Sequence, residues 1–253
     1  MIRSVAAALL LLCVAVPAWA QLHFGGGLDY MDWTEDTTPK VSERGPLLVL
    51  SGGWTQLRDK GALFAWRGTL YGGSVDYDGS TLFPPVQPVQ GTTNYGGTSQ
   101  EAQFRYRMPA RGGAWFDLVA SGGVDLWQRQ LSSIQKEIYF VGFLRFGVEF
   151  DRADRGFIAS GGVKQPLFIN EYAYLDGMDP NPIELRPGTE SSVYATAGYQ
   201  FDRHWRLFGT FDGFRLGESP STGAIVAGHG AVQFFQPAST LYRIGVRLEY
   251  VFR

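Results

Sequence analysis

From residue 138 the chain reads "IYFVGFLRFGVEF", and its side chains sort at every second position. Ile138, Phe140, Gly142, Leu144, Phe146, Val148 and Phe150 share one face, while Tyr139, Val141, Phe143, Arg145, Gly147 and Glu149 share the other. A period of two held over this length predicts a strand, because a helix returns charges to one face every three or four positions. "LYRIGVRLEYVF", residues 241–252, repeats the pattern: Tyr242, Ile244, Val246, Leu248, Tyr250 and Phe252 stand opposite Arg243, Arg247 and Glu249. Segments of this kind predict strands over 22–34, 46–57, 62–76, 98–109, 114–130, 138–150, 156–170, 191–201, 205–217 and 241–252. Most exceed the roughly 5–6 residues usual in globular sheets. They reach the roughly 9–11 needed to cross hydrocarbon as a tilted strand. The expected fold is all-β, a transmembrane antiparallel up-and-down barrel of about ten strands. Eight is the nearest alternative, should the first or seventh segment be irregular.

The connections alternate in length. Short turns at 58–61, 110–113, 151–155 and 202–204 are interleaved with "EDTTPKVSERG", "TLFPPVQPVQGTTNYGG", "LDGMDPNPIELRPGTE" and "SPSTGAIVAGHGAVQFFQPAST", the loop at 131–137 being the shortest outer one. Short periplasmic turns and longer extracellular loops are the pattern of a membrane barrel. A soluble sandwich has no reason to sort its loops this way.

The faces follow from cost. A Lys or Arg on the lipid face at the midplane costs about 2–4 kcal/mol, so the uncharged apolar face meets lipid and the other points inward. The inward set includes Arg67, Arg105, Arg107, Asp117, Asp125, Arg129, Arg145, Glu149, Lys164, Arg206, Asp212, Arg243, Arg247 and Glu249. Both signs occur, which predicts an ion-pair network across the lumen; the rival reading is a narrow ion or solute path. Trp33, Trp54, Trp115, Tyr174, Tyr199, Trp205 and Tyr250 fall near strand ends and are expected as interfacial anchors.

Composition agrees with an exported all-β chain: 33 Gly and 15% aromatic residues, with a mean hydropathy of −0.09. The opening "MIRSVAAALLLLCVAVPAWAQ" has a basic start, an apolar run and a small-x-small end at Ala18-Trp19-Ala20. It reads as a signal peptide over 1–20, leaving 21–253 as the barrel domain. Cys13, the single cysteine, lies within it, and Leu12 before it is not small, so a lipoprotein site is not expected. Without Arg3, 21 of the 22 Lys and Arg face 24 Asp and Glu. That near-neutral balance, with no basic stripe, excludes nucleic acid as a partner.

With these strands and loops, residues 21–252 resemble the small bacterial outer-membrane β-barrel proteins. The resemblance implies an outer-membrane location, contact with lipid and lipopolysaccharide, and insertion by the outer-membrane assembly machinery. Such proteins commonly end on an aromatic residue; here Phe252 stands one short and Arg253 follows. One ten-stranded group, the omptins, are proteases that activate water between an Asp pair and an Asp-His pair. Asp76 and Asp78 in "GSVDYDGS", with Asp202 and His204 in "QFDRHWR", are similar in type. The predicted topology parts them, with Asp76 and Asp78 at the extracellular rim and Asp202 and His204 in a periplasmic turn. About 30 Å of hydrocarbon would lie between, whereas general-base chemistry needs contact within about 3 Å. "DRH" therefore reads as a turn, where Asp bonds its own backbone.

Only His23, His204 and His229 occur in the chain. His229, in the last long loop, could pair with Asp176, Asp179 or Glu218, but no spacing selects them. With three dispersed His and no Cys after the leader, neither a metal nor a cofactor is expected. "LDGMDPNPIE" is acidic, yet lacks the ordered spacing of a calcium loop. "LFPPVQPVQ" and "AIVAGHGAVQFF" are apolar for outer loops, which points to an extracellular ligand or to folding over the barrel mouth. The expected role is structural or surface-binding and carried by the loops, with an omptin-like hydrolase (weak candidates Asp76, Asp78 and His229) and a narrow porin-like channel as rivals.

Overall fold

The computed structural model describes residues 20–81, 86–152, 155–175, 182–226 and 230–252. All of the predicted signal peptide except Ala20 lies outside them, as do Asp176, Asp179 and His229. The strands are β1 (Ala20–Glu35), β2 (Val41–Gln56), β3 (Gly61–Ser80), β4 (Pro88–Ala110), β5 (Ala114–Gln130), β6 (Gln135–Arg152), β7 (Gly156–Leu175), β8 (Ile183–Leu185), β9 (Gly188–Glu190), β10 (Ser192–Gln200), β11 (Trp205–Gly217), β12 (Thr222–Val226), β13 (Gly230–Phe234) and β14 (Ser239–Val251). Ten of them close a ring in the order β1 to β7, then β10, β11 and β14, which pairs back to β1. Every neighbour is antiparallel; at the seam, Leu28 stands opposite Leu48 on one side and Val246 on the other. The two backbones approach so closely there that a Cβ on Gly27 would lie 2.0 Å from the Val246 carbonyl oxygen. Only glycine fits that position.

These ten strands are the ten that the alternation predicts, and several run past their expected ends: β2 begins at Val41, β3 continues to Ser80, and β4 and β7 extend likewise. β4 begins at Pro88 because "PVQGTTNYGG" goes on pairing with β3, Ser80 opposite Pro88. β7 continues to Leu175, paired with Gln135. Above the lipid a ladder needs no apolar outer face, so its sequence loses the alternation while its hydrogen bonds persist. Within β7 the register shifts: Pro166 faces Phe143 and Phe168 faces Gly142, leaving Leu167 extra. This bulge turns the buried positions from the even series of Ile158 and Lys164 to the odd series of Ile169 and Glu171. Proline is tolerated where the ladder is already broken.

Phe24, Leu28, Leu48, Phe146, Ile244 and Val246 are exposed on the outer face, as lipid contact requires. The apolar band ends at Tyr30, Leu126, Phe168 and Tyr242, and the next outward positions are Asp32, Gln128, Asn170 and Thr240. Above this edge the barrel continues past the apolar band, on the side of the long connections. There β8 pairs with β7, β9 pairs with β11, and β12 and β13 form a separate hairpin. Ile183, Leu185, Val226 and Phe234 bury one another between β8 and the hairpin, so the outer segments have a small core of their own.

The interior is layered. Met31, Trp33, Leu47, Val49, Tyr71, Val75, Tyr95, Trp127, Tyr139, Val141, Phe143, Ile169, Phe214, Leu216 and Leu241 form one buried cluster drawn from nine of the ten barrel strands. Side chains converging from so many directions fill the lumen across its width. Trp127 stacks on Tyr139 with centroids 4.9 Å apart, and Phe214 lies 5.7 Å from Trp127. Two expected interfacial anchors belong inside. Trp33 is fully buried in this layer, and Trp115 lies under the Arg107 guanidinium at the mouth on the short-turn side. Both are on the inward parity of their strands, which decides the matter over nearness to a strand end. Trp54, Tyr199, Trp205 and Tyr250 take the outward parity.

Candidate functional site

All fourteen inward charges expected from the sequence lie in ion pairs. Below the aromatic layer, Arg107 makes a two-pronged contact with Asp117 at 3.0 and 2.9 Å. Arg105 bonds Glu149 at 2.6 Å, and Arg67 reaches the same carboxylate at 3.1 Å. Asp212 gathers Arg145 at 2.8 Å, Lys164 at 3.1 Å and Arg243 at 3.4 Å. Arg243 also meets Asp125 at 3.4 Å, and Arg206 approaches Asp151 at 3.3 Å and Glu249 at 3.9 Å. Arg247 pairs with Asp29 at 2.9 Å and Arg145 with Glu101 at 2.9 Å. This network joins eight cations (Arg67, Arg105, Arg107, Arg145, Lys164, Arg206, Arg243, Arg247) to eight acids (Asp29, Glu101, Asp117, Asp125, Glu149, Asp151, Asp212, Glu249). Charge held this way is neutralised by partners, which is what burial demands.

Two cavities lie within the network. One of about 550 Å³ opens at the mouth on the side of the short turns, between Ala20, Gln56, Trp115 and Phe252. A second of about 160 Å³ lies further along the lumen, bounded by Ser51, Thr69, Tyr194, Asp212 and Arg243. Both touch His23, Arg67, Glu149 and Arg206, so they adjoin. Towards the outside the aromatic layer ends them; Lys164 sits 3.4 Å from the Phe214 ring centroid at that boundary.

Above the layer is a second charged tier with a different balance. Arg129, stacked over Trp33 at 4.5 Å, donates to Glu35 at 2.9 Å, to Glu43 at 3.3 Å and to Glu137. Tyr95 donates to Glu43, and Tyr139 to Glu137 at 2.9 Å. Glu171, almost fully buried on the bulged half of β7, adds a fourth carboxylate, and its Oε2 has no hydrogen-bond partner. These glutamates escaped the sequence reading, although Glu137 and Glu35 continue the inward parity of Tyr139 and Trp33. Glu171 was hidden by the bulge, which inverts parity before it.

The acidic pairs are not brought together. Asp76 and Asp78 take the outward parity of β3, on the exposed side of the barrel wall, with Asp76 opposite Arg44. Asp202 and His204 lie in the β10–β11 turn at the other end. Asp202 accepts the backbone N–H of His204 at 2.7 Å and of Trp205 at 2.9 Å. Those two bonds hold its carboxyl below the usual range. The His204 ring donates to the Val251 carbonyl at 3.0 Å and stacks on Tyr250 at 5.3 Å. Asp76 lies fifteen residues beyond Gly61, where β3 starts at the turn end. At about 3.3 Å per residue and a tilt of about 40°, that is roughly 40 Å along the axis. Among the described residues no three His, Cys, Asp or Glu side chains converge as metal ligands.

No protein-family model and no curated protein sequence matches the chain. Among solved structures, the outer membrane protease OmpT from Escherichia coli superposes with a TM-score of 0.53 at 10% identity, covering 92% of this chain and 96% of that one. The translocator domain of the autotransporter NalP from Neisseria meningitidis matches more loosely, with a TM-score of 0.42 at 12% identity, over 97% and 93%. Identities this low speak for the fold and not for an activity. Closed ring, outward apolar face and the likeness to the first of these structures give the chain the fold of an outer-membrane β-barrel.

Proposed function

We propose that the protein is a structural or surface-binding barrel, closed to solutes, whose role is carried by its extracellular segments. The single observation behind this reading is the aromatic layer. Trp33, Trp127, Tyr139, Phe143 and Phe214 are buried and in contact across the lumen, where a conducting path would need water. Above it, the core of Ile183, Leu185, Val226 and Phe234 gives the outer segments a defined shape. Ile225 on the hairpin is 79% exposed, an apolar tip offered outward and not inward. A hydrolase finds less support, because the acid pairs face different compartments.

Planar-bilayer recording of the refolded protein tests the reading. Wild type is expected to give no unitary steps, whereas Trp127→Ala combined with Phe214→Ala admits a leak current. Regular steps from wild type would replace this reading with the channel. Incubation with a peptide library, read by mass spectrometry, covers the other rival: cleavage abolished by Asp76→Asn would restore the hydrolase.

A further inference from the structure

The lower network matches eight cations to eight acids, but the tier above the aromatic layer sets Arg129 alone against Glu35, Glu43, Glu137 and Glu171. A buried carboxylate without a partner is costly enough that it takes up a proton instead. Glu171 is the one left out. Arg129 bonds the other three, whereas Glu171 has a Tyr139 hydroxyl for support, its Oε2 has no hydrogen-bond partner, and the Glu137 carboxylate is its neighbour. Among the described residues no strand supplies a spare cation: the titratable groups around it are Glu35 on β1, Glu43 on β2, Tyr77 on β3, Tyr95 on β4, Arg129 on β5, and Glu137 with Tyr139 on β6, while β8 sets Leu185 opposite it. The inward positions of β11 and β14 at this level are Leu216, Leu241 and Ser239.

The same tier is where the outer segments attach. Tyr139 reaches the Gln236 side chain at 3.3 Å, and Gln236 is buried. Ser219 and Gln236 exchange two hydrogen bonds of 2.9 Å, and the Asp36 N–H donates to the Ala238 carbonyl at 2.8 Å. The segment that carries the β12–β13 hairpin is thus pinned on both flanks beside the acidic tier.

We propose that a proton on Glu171 holds the extracellular cap against the barrel, and that its loss releases the cap. Resting on the surface-binding reading above, this makes presentation of the hairpin pH-dependent. Burial, with Glu137 adding to it, pushes the Glu171 carboxyl well above the usual range. The sign follows. A carboxyl whose pKa is raised in the attached state favours attachment below the ordinary carboxylate range, and that advantage declines as pH rises through the raised value. At alkaline pH a second full charge faces Glu137, and the contact through Tyr139 and Gln236 loosens.

The test uses spin labels at Gln128→Cys on β5 and Gln233→Cys on the hairpin, the only thiols in residues 20–253 of that variant. Pulsed dipolar distances are taken in detergent from mildly acid to mildly alkaline buffer, with folding checked by heat-modifiable gel migration. The expected result is one narrow distance at acid pH that broadens as pH rises, and a narrow distance throughout when Glu171→Gln is added. Broadening of equal extent with Glu171→Gln, or no pH dependence with Glu171 intact, overturns the proposal. Conductance of the same preparation is independent of these distances, so a failed surface-binding reading and a failed proton latch are told apart.

Discussion

Asp212 shows what a single residue carries. Three cations, Arg145, Lys164 and Arg243, lean on it inside the barrel. Asp212→Ala leaves them short of an anion and is expected to cost about 3–5 kcal/mol, the usual penalty for breaking a buried pair from one side. Removing Lys164 as well, as Lys164→Met, should return part of that loss; urea unfolding of both variants in lipid vesicles measures it. Asp202 teaches the opposite lesson. It looks like half of a catalytic pair, yet its oxygen is engaged by two backbone N–H groups of its own turn. Its lowered pKa predicts that the turn is firm above the ordinary carboxylate range and loosens as pH falls through the lowered value. Carbonyl-carbon NMR titration of Asp202 is expected to show that midpoint displaced to acid, and an unshifted midpoint would contradict the turn geometry.

At the scale of elements, each strand is held to its face by alternation, and β7 shows how sharply. Deleting Leu167 removes the bulge without changing any face, because Pro166 and Phe168 already pair with the successive Phe143 and Gly142 and so Ile169, Glu171 and Ala173 stay inward. Such a chain is expected to keep the heat-modifiable folded band of wild type on gels, and loss of that band would contradict the assignment of Leu167 as the extra residue. A charge placed on the lipid face is a greater insult: Ile244→Lys, at a position 60% exposed on the outer wall, is expected to cost about 2–4 kcal/mol if near the midplane. The same vesicle unfolding reads it. Arg243, next along the strand, is tolerated because it points the other way.

Across the whole molecule, the lumen is divided into a half on the short-turn side that is polar and cavity-bearing and a half on the long-connection side that is filled by the buried cluster. On the proposed reading, closure comes from the aromatic layer and not from the ion pairs below it. If so, neutralising Arg145 or Arg247 leaves the barrel non-conducting, and only variants of the layer admit current; bilayer recording of both sets separates the two. The charged tier above the layer lies beyond the apolar band, so on the proposed reading an extracellular change in pH reaches it without crossing the membrane.

Periodicity by itself determined the strands, the lipid face, the order of short and long connections and the inward charges, because a two-residue alternation is a local property that solvation enforces strand by strand. It also placed "DRH" in a turn. Three things belonged to the tertiary structure. The Pro166–Leu167 bulge inverted the parity of Glu171, since a register shift is set by the partner strand and leaves no mark in spacing. The polar upper ladders of β4 and β7 had no apolar face to announce them above the lipid. And the contact of Trp33, Trp127, Tyr139 and Phe214 in one layer depends on how ten tilted strands bring distant positions to the same height, a sum over the whole ring that no single strand encodes.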